Sequence, residues 1–460
     1  MGKTIRVIET HLASGKKLQE LETLQFHPDK PGSEGQEEHI LNLYDEVHYQ
    51  EILGFGGAMT EASALNLTRV EESLREKVLE LYFDKEKGIG YNFCRSTINS
   101  CDFSEDFYSY DEVEGDFSLK HFDIAHDKET VIPMLKEAGK VAEDLLLYAT
   151  PWSPPAWMKT NGKMSKGGKL KKECWEVWAN YVVRFLQEYE KAGVPVWGVT
   201  VQNEAKAEQG WESCVYTAGE ERDYATGYLK PAMERGGMGD RKIFFWDHNK
   251  ERTVDRALET LCSNRARDCF DGVAVHWYSG DHFGALDVFH QLFPEKYIIA
   301  SEQCTGKSPR PEQSGEKYAH DIIGDLNNWA NAWVDWNMFL DEDGGPDHWK
   351  DEQKATGWAE DKIWVGESPI VYDRQKKALD IRSSYYYMGH FSKYIRRGAR
   401  RIGCSCYDSA VETCAFQNKD GSIVCVALNR TEQEKKISLR YKGELADFTL
   451  KAHSIVTWVV

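Results

Sequence analysis

Two carboxylates stand where apolar runs of the chain stop. One run ends Val199-Thr200-Val201-Gln202-Asn203-Glu204, another Ile299-Ala300-Ser301-Glu302. They lie far apart in sequence, so only the fold can bring them together. Two carboxyls facing one bond can cleave a glycosidic link: one, protonated, helps the leaving oxygen depart, and the other, ionised, attacks the anomeric carbon. Their surroundings must then push their pKa values apart. A single glutamate at a strand end is more often a rim ion-pair partner. The aromatic endings of neighbouring runs favour the chemical reading: Trp152 after Pro151, His276-Trp277-Tyr278, and Trp336. Indole and phenol rings on one rim suit the flat C–H faces of a sugar, although each ring alone would be read as core packing.

The elements that must hold these residues are short apolar runs alternating with longer amphipathic stretches. The runs are Ile52–Met59, Tyr91–Ile98, Leu145–Pro151, Val196–Val201, Lys242–Asp247, Gly272–Trp277, Tyr297–Glu302 and Ala332–Met338. Between them Val70–Phe83, Trp175–Lys191, Glu220–Arg235, Val254–Cys262 and Tyr318–Asn331 are predicted helices. In Trp175–Lys191 the residues Trp175, Trp178, Val182, Phe185, Leu186 and Tyr189 fall on one helical face. Eight strand-then-helix units predict a (β/α)8 TIM barrel, whose active sites sit at the C-terminal strand ends. A doubly wound sheet would show a Gly-rich phosphate loop after an early strand, and Phe55-Gly56-Gly57-Ala58 is not one.

After about Gly403 the texture turns to short alternating runs: Ser422–Leu428, Glu434–Tyr441, Phe448–Lys451 and Ser454–Val459. Asn418-Lys419-Asp420-Gly421 between two β runs is a hairpin signal. The opening residues hold strand-like pieces, Thr4–Thr10, Leu21–Phe26 and His39–Asp45, and no long helix. The expected organisation is therefore a catalytic barrel over 49–402 and a small β-sandwich-like side domain built from both chain ends, 1–48 and 403–460.

The balance of 57 Lys plus Arg against 75 Asp plus Glu in 460 residues gives a net charge of −18. This argues against nucleic acid or an anionic membrane surface as the main partner. The start of the chain has no apolar signal region, no run is long enough to span a bilayer, and no basic amphipathic anchor is evident. Eleven cysteines cannot all pair within one chain. A reduced, cytoplasmic protein with a carbohydrate or glycoside substrate is the expectation; homo-oligomerisation is left open.

Several longer motifs resemble one known family. Gly54-Phe55-Gly56-Gly57-Ala58-Met59-Thr60-Glu61, Ser100-Cys101-Asp102-Phe103-Ser104, Pro151-Trp152-Ser153-Pro154-Pro155-Ala156-Trp157-Met158-Lys159-Thr160-Asn161-Gly162, Ala274-Val275-His276-Trp277-Tyr278 and Asp335-Trp336-Asn337 are similar to the glucosylceramidase-like glycoside hydrolases of family 30. Gly389-His390-Phe391-Ser392-Lys393 and Val426-Ala427-Leu428-Asn429-Arg430 extend the resemblance through the C-terminal part. It implies a retaining β-glycosidase on a (β/α)8 barrel with a β side domain and no cofactor. By the same resemblance Glu204 is the general acid/base and Glu302 the nucleophile. Asn203 holds the sugar 2-OH. Asp102, Phe103, Trp152 and Trp336 belong to the substrate subsite, Tyr278 steadies the nucleophile, and His276 and Arg95 match supporting positions in the same substrate-binding set.

Ala205 stands where the family often has Pro after the acid/base. The segment Gly344–Glu367, with Trp349, Trp358 and Trp364, looks longer than the matching loop of lysosomal glucosylceramidases and falls on the leaving-group side. The segment Trp211–Tyr216 adds to the case for another substrate. β-1,6-Glucan, β-xylosides and β-fucosides are therefore alternatives to a β-glucoside, and a non-catalytic carbohydrate-binding barrel is the alternative of another class. Asp247, His248 and His276 lack metal-ligand spacing and are read as satisfied rim groups, with no metal expected. Cys304 is read as a buried bystander. The lysine-rich stretch 163–172 is read as a solvated active-site loop.

Overall fold

A computed structural model describes residues 4–30, 36–306 and 308–460. Eight parallel strands close a barrel: β1 (Gly54–Ala58), β2 (Phe93–Ile98), β3 (Leu146–Pro151), β4 (Gly198–Thr200), β5 (Lys242–Asn249), β6 (Gly272–His276), β7 (Tyr297–Gln303) and β8 (Ala332–Asn337). Each coincides with one of the eight apolar runs. Parallel strands buried on both faces read as continuous apolar sequence, which is why they were legible. Gly56 is required where β1 meets β2, since a Cβ there would stand 2.0 Å from the Phe93 carbonyl oxygen.

The lower barrel interior is an aromatic and aliphatic plug. Phe93, Tyr148, Phe244, Ala274, Ile299, Ala332 and Val334 fill it, with Trp197 packed against them. Phe93 stacks on Tyr148 with ring centroids 5.4 Å apart. Above the plug the same strands present Arg95, Thr150, Thr200, Asp247, His276 and Ser301, all buried. Tyr148 joins the two layers by donating its hydroxyl to the Ser301 carbonyl at 2.7 Å.

Among the outer helices, Trp175–Lys191 has the expected bounds and buries the face its spacing predicts. Others differ at their ends. The predicted Glu220–Arg235 helix begins at Ala218 behind a Thr217/Glu220 capping box and contains a wider turn at Ala225–Leu229. The helix expected over Tyr318–Asn331 spans Gln313–Asn327, that over Val70–Phe83 starts at Glu72, and that over Val254–Cys262 spans Thr253–Thr260. Within Gly344–Glu367 a helix, His348–Ala355, forms where Asp347 caps it by accepting from Lys350 N at 2.8 Å. No helix among the described residues is long and apolar enough to cross a membrane.

The side domain is one continuous hydrogen-bonded sheet that draws strands from both chain ends. Its Thr4–His11 strand pairs antiparallel with Ser454–Val459, which in turn pairs with Ile423–Asn429. Ile40–Glu51 lies between Arg400–Cys406 and Lys435–Tyr441. The hairpin read at Asn418–Gly421 is present, with Gly421 at φ +87°. Of the piece expected over Leu21–Phe26 only Leu24–Gln25 is a strand. Ile5, Val7, Leu41, Ile402, Leu439 and Trp458 belong to this sheet's own apolar core.

His390 ties the two units together. It lies on the helix Ser383–Ser392, is fully buried, and bonds Thr457 through Nδ1 and Thr10 through Nε2, both at 2.8 Å. Burial pushes its pKa down to about 3. The unfolded chain therefore takes up a proton below about pH 6.5 that the folded chain refuses, and stability is lost as pH falls toward 3. Urea midpoints measured between pH 7 and 4 should fall for the wild type, and the fall should be smaller in His390→Gln. An equal slope in both proteins would remove His390 from the acid response.

Candidate active site

The C-terminal strand ends bring the two strand-end glutamates to one cavity of about 710 Å³. Its walls include Asp102, Phe103, Trp152, Asn203, Glu204, Tyr278, Glu302 and Trp336, eight of the ten site residues expected from the sequence. The other two, Arg95 and His276, are fully buried beneath the cavity and do not line it. They belong to the site through the carboxylates, not through direct access to a sugar. That corrects their place in the substrate-binding set.

Arg95, on β2, is the centre of the floor. Its Nη1 donates to Glu302 Oε2, and its Nη2 donates to Asn203 Oδ1 at 2.9 Å and to Asp247 Oδ2 at 2.8 Å. Trp152 and Trp336, stacked with centroids 5.0 Å apart, cover it at 4.6 and 5.4 Å. Burial works to lower its pKa, and the charges of Asp247 and Glu302 outweigh that and favour the cation further. Asp247 is a second hub. Thr200 and Arg95 donate to its Oδ2, while Ser301 at 2.6 Å and His276 Nε2 at 3.0 Å meet its Oδ1. Burial works to raise its pKa, and Arg95 and His276 together hold it well below the usual carboxylate range.

Each strand-end glutamate has its own donors. Tyr278 gives its hydroxyl to Glu302 Oε1 at 2.9 Å while Arg95 holds Oε2. Gln209 Nε2 donates to Glu204 Oε2 at 2.9 Å. The other oxygen of Glu204 faces His276 Nδ1 at 3.4 Å and His248 Nδ1 at 3.6 Å, and His276 Nδ1 also stands 3.8 Å from Glu302 Oε1. One imidazole nitrogen thus sits between the two carboxylates. Burial pushes Glu204 up, but His276 and His248 outweigh it and hold the group down at about 2. Burial lowers His276, yet Glu302, Asp247 and Glu204 carry it up to about 9. Burial and the neighbouring carboxylates, Asp347 foremost, push Asp102 far up, and its Oδ1 is buried with no partner.

Three site residues have left-handed backbone. Glu204 has φ +46°, and Trp246 and Asp247 have φ +74° and +45° at a bulge where β5 meets β6. Left-handed backbone outside glycine costs on the order of 1–3 kcal/mol and persists where the surroundings over-determine it. The bulge aims Asp247 into the floor and His248 at Glu204.

Asp247, Gln209 and His248 were not singled out as functional from sequence. Asp247 ends an apolar run just as Glu204 and Glu302 do, so the same rule applied to the fifth run would have found it. His248 and His276 are not satisfied rim groups, because each leaves its Nδ1 without a hydrogen-bond partner. Cys304 is buried at the cavity wall with a raised pKa, caused first by burial. The 163–172 stretch packs behind the Gln209–Ser213 turn, where Lys166 N bonds Gln209 O, and its lysines do not line the cavity. The Gly344–Glu367 segment does reach the site. His348 N bonds the Asp102 carbonyl, and Asp347, Trp349 and Trp364 line the cavity, with Trp349 beside Trp211 at 5.8 Å.

Residues 52–395 match the glycosyl hydrolase family 30 TIM-barrel domain, and residues 398–458 match the family 30 beta sandwich domain. The chain belongs to glycosyl hydrolase family 30. It is a retaining glycoside hydrolase. It is 34% identical over 422 residues to the lysosomal acid glucosylceramidase of Mus musculus, covering 87% of this chain and 79% of that one. It is 28% identical to an endo-1,6-beta-D-glucanase of Neurospora crassa, over 89% of this chain and 85% of that one. Among solved structures it superposes on SrfJ from Salmonella typhimurium with a TM-score of 0.93 at 32% identity, covering 100% and 99% of the two chains.

Arg95 bridges three acceptors at once with a planar fork, which an ammonium cannot do. In this family 30 barrel Arg95→Lys should fold with the wild-type circular dichroism spectrum and lose about 10²-fold or more in kcat/KM on a hydrolysed aryl glycoside. Wild-type kcat/KM in that variant would show that charge alone suffices.

Proposed function

We propose that this enzyme hydrolyses β-glucosides from the non-reducing end by double displacement, with Glu302 as nucleophile and Glu204 as general acid/base. The observation that carries the reading is the pair of carboxylates, one from the turn after β4 and one from β7, flanking one imidazole nitrogen at the floor of an aromatic cavity. Glu302 is held by Arg95 and Tyr278, so its attacking oxygen is fixed before substrate arrives. The surrounding carboxylates favour the cationic form of His276, which makes it the proton reservoir of this reading, 3.4 Å from Glu204. Protonation of the leaving oxygen then draws that proton through Glu204, and the emptied carboxylate activates the water that releases the sugar. Asn203, itself fixed by Arg95, is placed for the sugar 2-OH. Asp102, with its unpartnered oxygen, is placed for a hydroxyl farther round the ring.

A second reading, β-1,6-glucan, is favoured by Trp211, Trp349 and Trp364 beyond the stacked Trp152 and Trp336. Three further indoles along one cavity suit a sugar as leaving group better than a small aglycone. A reducing, cytoplasmic compartment is part of the same proposal, supported by eleven separate thiols, most of them buried.

Proton NMR of 4-nitrophenyl β-glucoside hydrolysis should show β-glucose before mutarotation. Glu302→Gln should lose on the order of 10³-fold or more in kcat with the fold intact. First-formed α-glucose would overturn the role of Glu302, and faster hydrolysis of a β-1,6-linked disaccharide would favour the second substrate.

A further inference from the structure

Two buried ring nitrogens at the site, His276 Nδ1 and His248 Nδ1, have no hydrogen-bond partner. Both point at one atom, Glu204 Oε1, at 3.4 and 3.6 Å. These separations are long for an N–H···O bond. They are close to the ~3.3–3.4 Å that separates ligand atoms around a tetrahedral ion with bonds of ~2.0–2.1 Å. One ligand atom from each of Glu204, His248 and His276 lies within 4.8 Å of the other two.

The remaining atoms of the three side chains complete the pattern. His276 Nε2 meets Asp247 Oδ1 at 3.0 Å, and Asp247 is itself fixed by Ser301 and Arg95. A carboxylate behind a histidine in this way sets the tautomer and strengthens the other nitrogen as a ligand. Gln209 occupies Glu204 Oε2 and leaves Oε1 free to bind. Glu204 and His248 line the cavity, so an ion has a way in and a fourth position open to water.

We propose that Glu204, His248 and His276 form a binding site for a borderline divalent cation of the zinc or copper type, and that its occupancy inhibits the enzyme. Two imidazoles and one carboxylate match zinc and copper, whereas magnesium and calcium require oxygen ligands. The ion takes the Glu204 lone pair that proton transfer uses. It is an inhibitor of hydrolysis and no part of it.

The test is calorimetric titration of the chelator-treated full-length chain with zinc chloride at one fixed pH, with magnesium chloride as a parallel arm. Expected are one zinc per chain and no magnesium binding. His248→Asn and Glu204→Gln should each weaken zinc by at least about 100-fold. Cobalt(II) in place of zinc should give visible bands without the near-ultraviolet absorption of thiolate ligation, which separates this site from the cysteines. Hydrolysis of whichever aryl glycoside the enzyme accepts should be inhibited by zinc and restored by EDTA. Absence of zinc binding, unchanged affinity in both variants, or a thiolate band would overturn the site. Zinc bound at the site with full activity would overturn the inhibition. Calorimetry reads the site whatever the sugar specificity, so a wrong glucoside assignment and a wrong metal assignment give different results.

Discussion

Arg95 brings a full positive charge into a place that water does not reach, and much of the barrel mouth is arranged around it. An isolated buried ion costs several kcal/mol, and removing one partner of a buried pair costs about 3–5 kcal/mol because the other charge is left uncompensated. Here the guanidinium touches Asp247, Glu302 and Asn203 together, and two stacked indoles close it from above. Strands β2, β5 and β7 and the turn after β4 are thereby fixed relative to one another by one side chain. The charge is also what makes Glu302 tolerable in its buried place at the cavity floor. A neutral residue at the same position would leave two buried carboxylates facing each other.

The polar layer rests on a rigid support. Beneath Arg95 the barrel is filled with packed rings, so the site cannot relax downward when a partner is lost. Above it the chain departs from regular geometry at Glu204, Trp246 and Asp247. Strain and charge occur at the same strand ends for one physical reason. Regular strands send alternate residues to opposite faces, and only a bulge lets Asp247 and His248, adjacent in sequence, both serve the site.

The sequence revealed most of the architecture and part of the site. The eight strands were legible because burial on both faces leaves uninterrupted apolar runs, and Trp175–Lys191 because its aromatic face repeats at helical spacing. Helix ends were less legible, as at Ala218, where the capping box precedes the apolar pattern. Glu204 and Glu302 stood out because each ends a run. Asp247 has the same position but was masked by its neighbour His248, and its bonding to Arg95, Thr150, Thr200, His276 and Ser301 depends on strands remote in sequence. The convergence of His248 and His276 on Glu204 depends on a backbone bulge, for which the residues Trp246-Asp247-His248 carry no local signal. The ends of the Gly344–Glu367 segment were visible, but its helix and its contact with Asp102 are set by tertiary packing.

The pairing of Thr4–His11 with Ser454–Val459 also dictates an order of events during synthesis. The barrel is complete in sequence once Asn337 and the helices after it have emerged, whereas the edge of Thr4–His11 that meets Ser454–Val459 waits for a strand that begins more than 100 residues after Asn337. Through most of translation the nascent chain therefore trails a strand that Lys16–Glu20 can pair on one edge while the edge meant for Ser454–Val459 stays open. Such an edge is a template for intermolecular pairing. Short losses at the C-terminal end would leave the barrel's residues untouched and still expose that edge, turning a distant truncation into an aggregation defect.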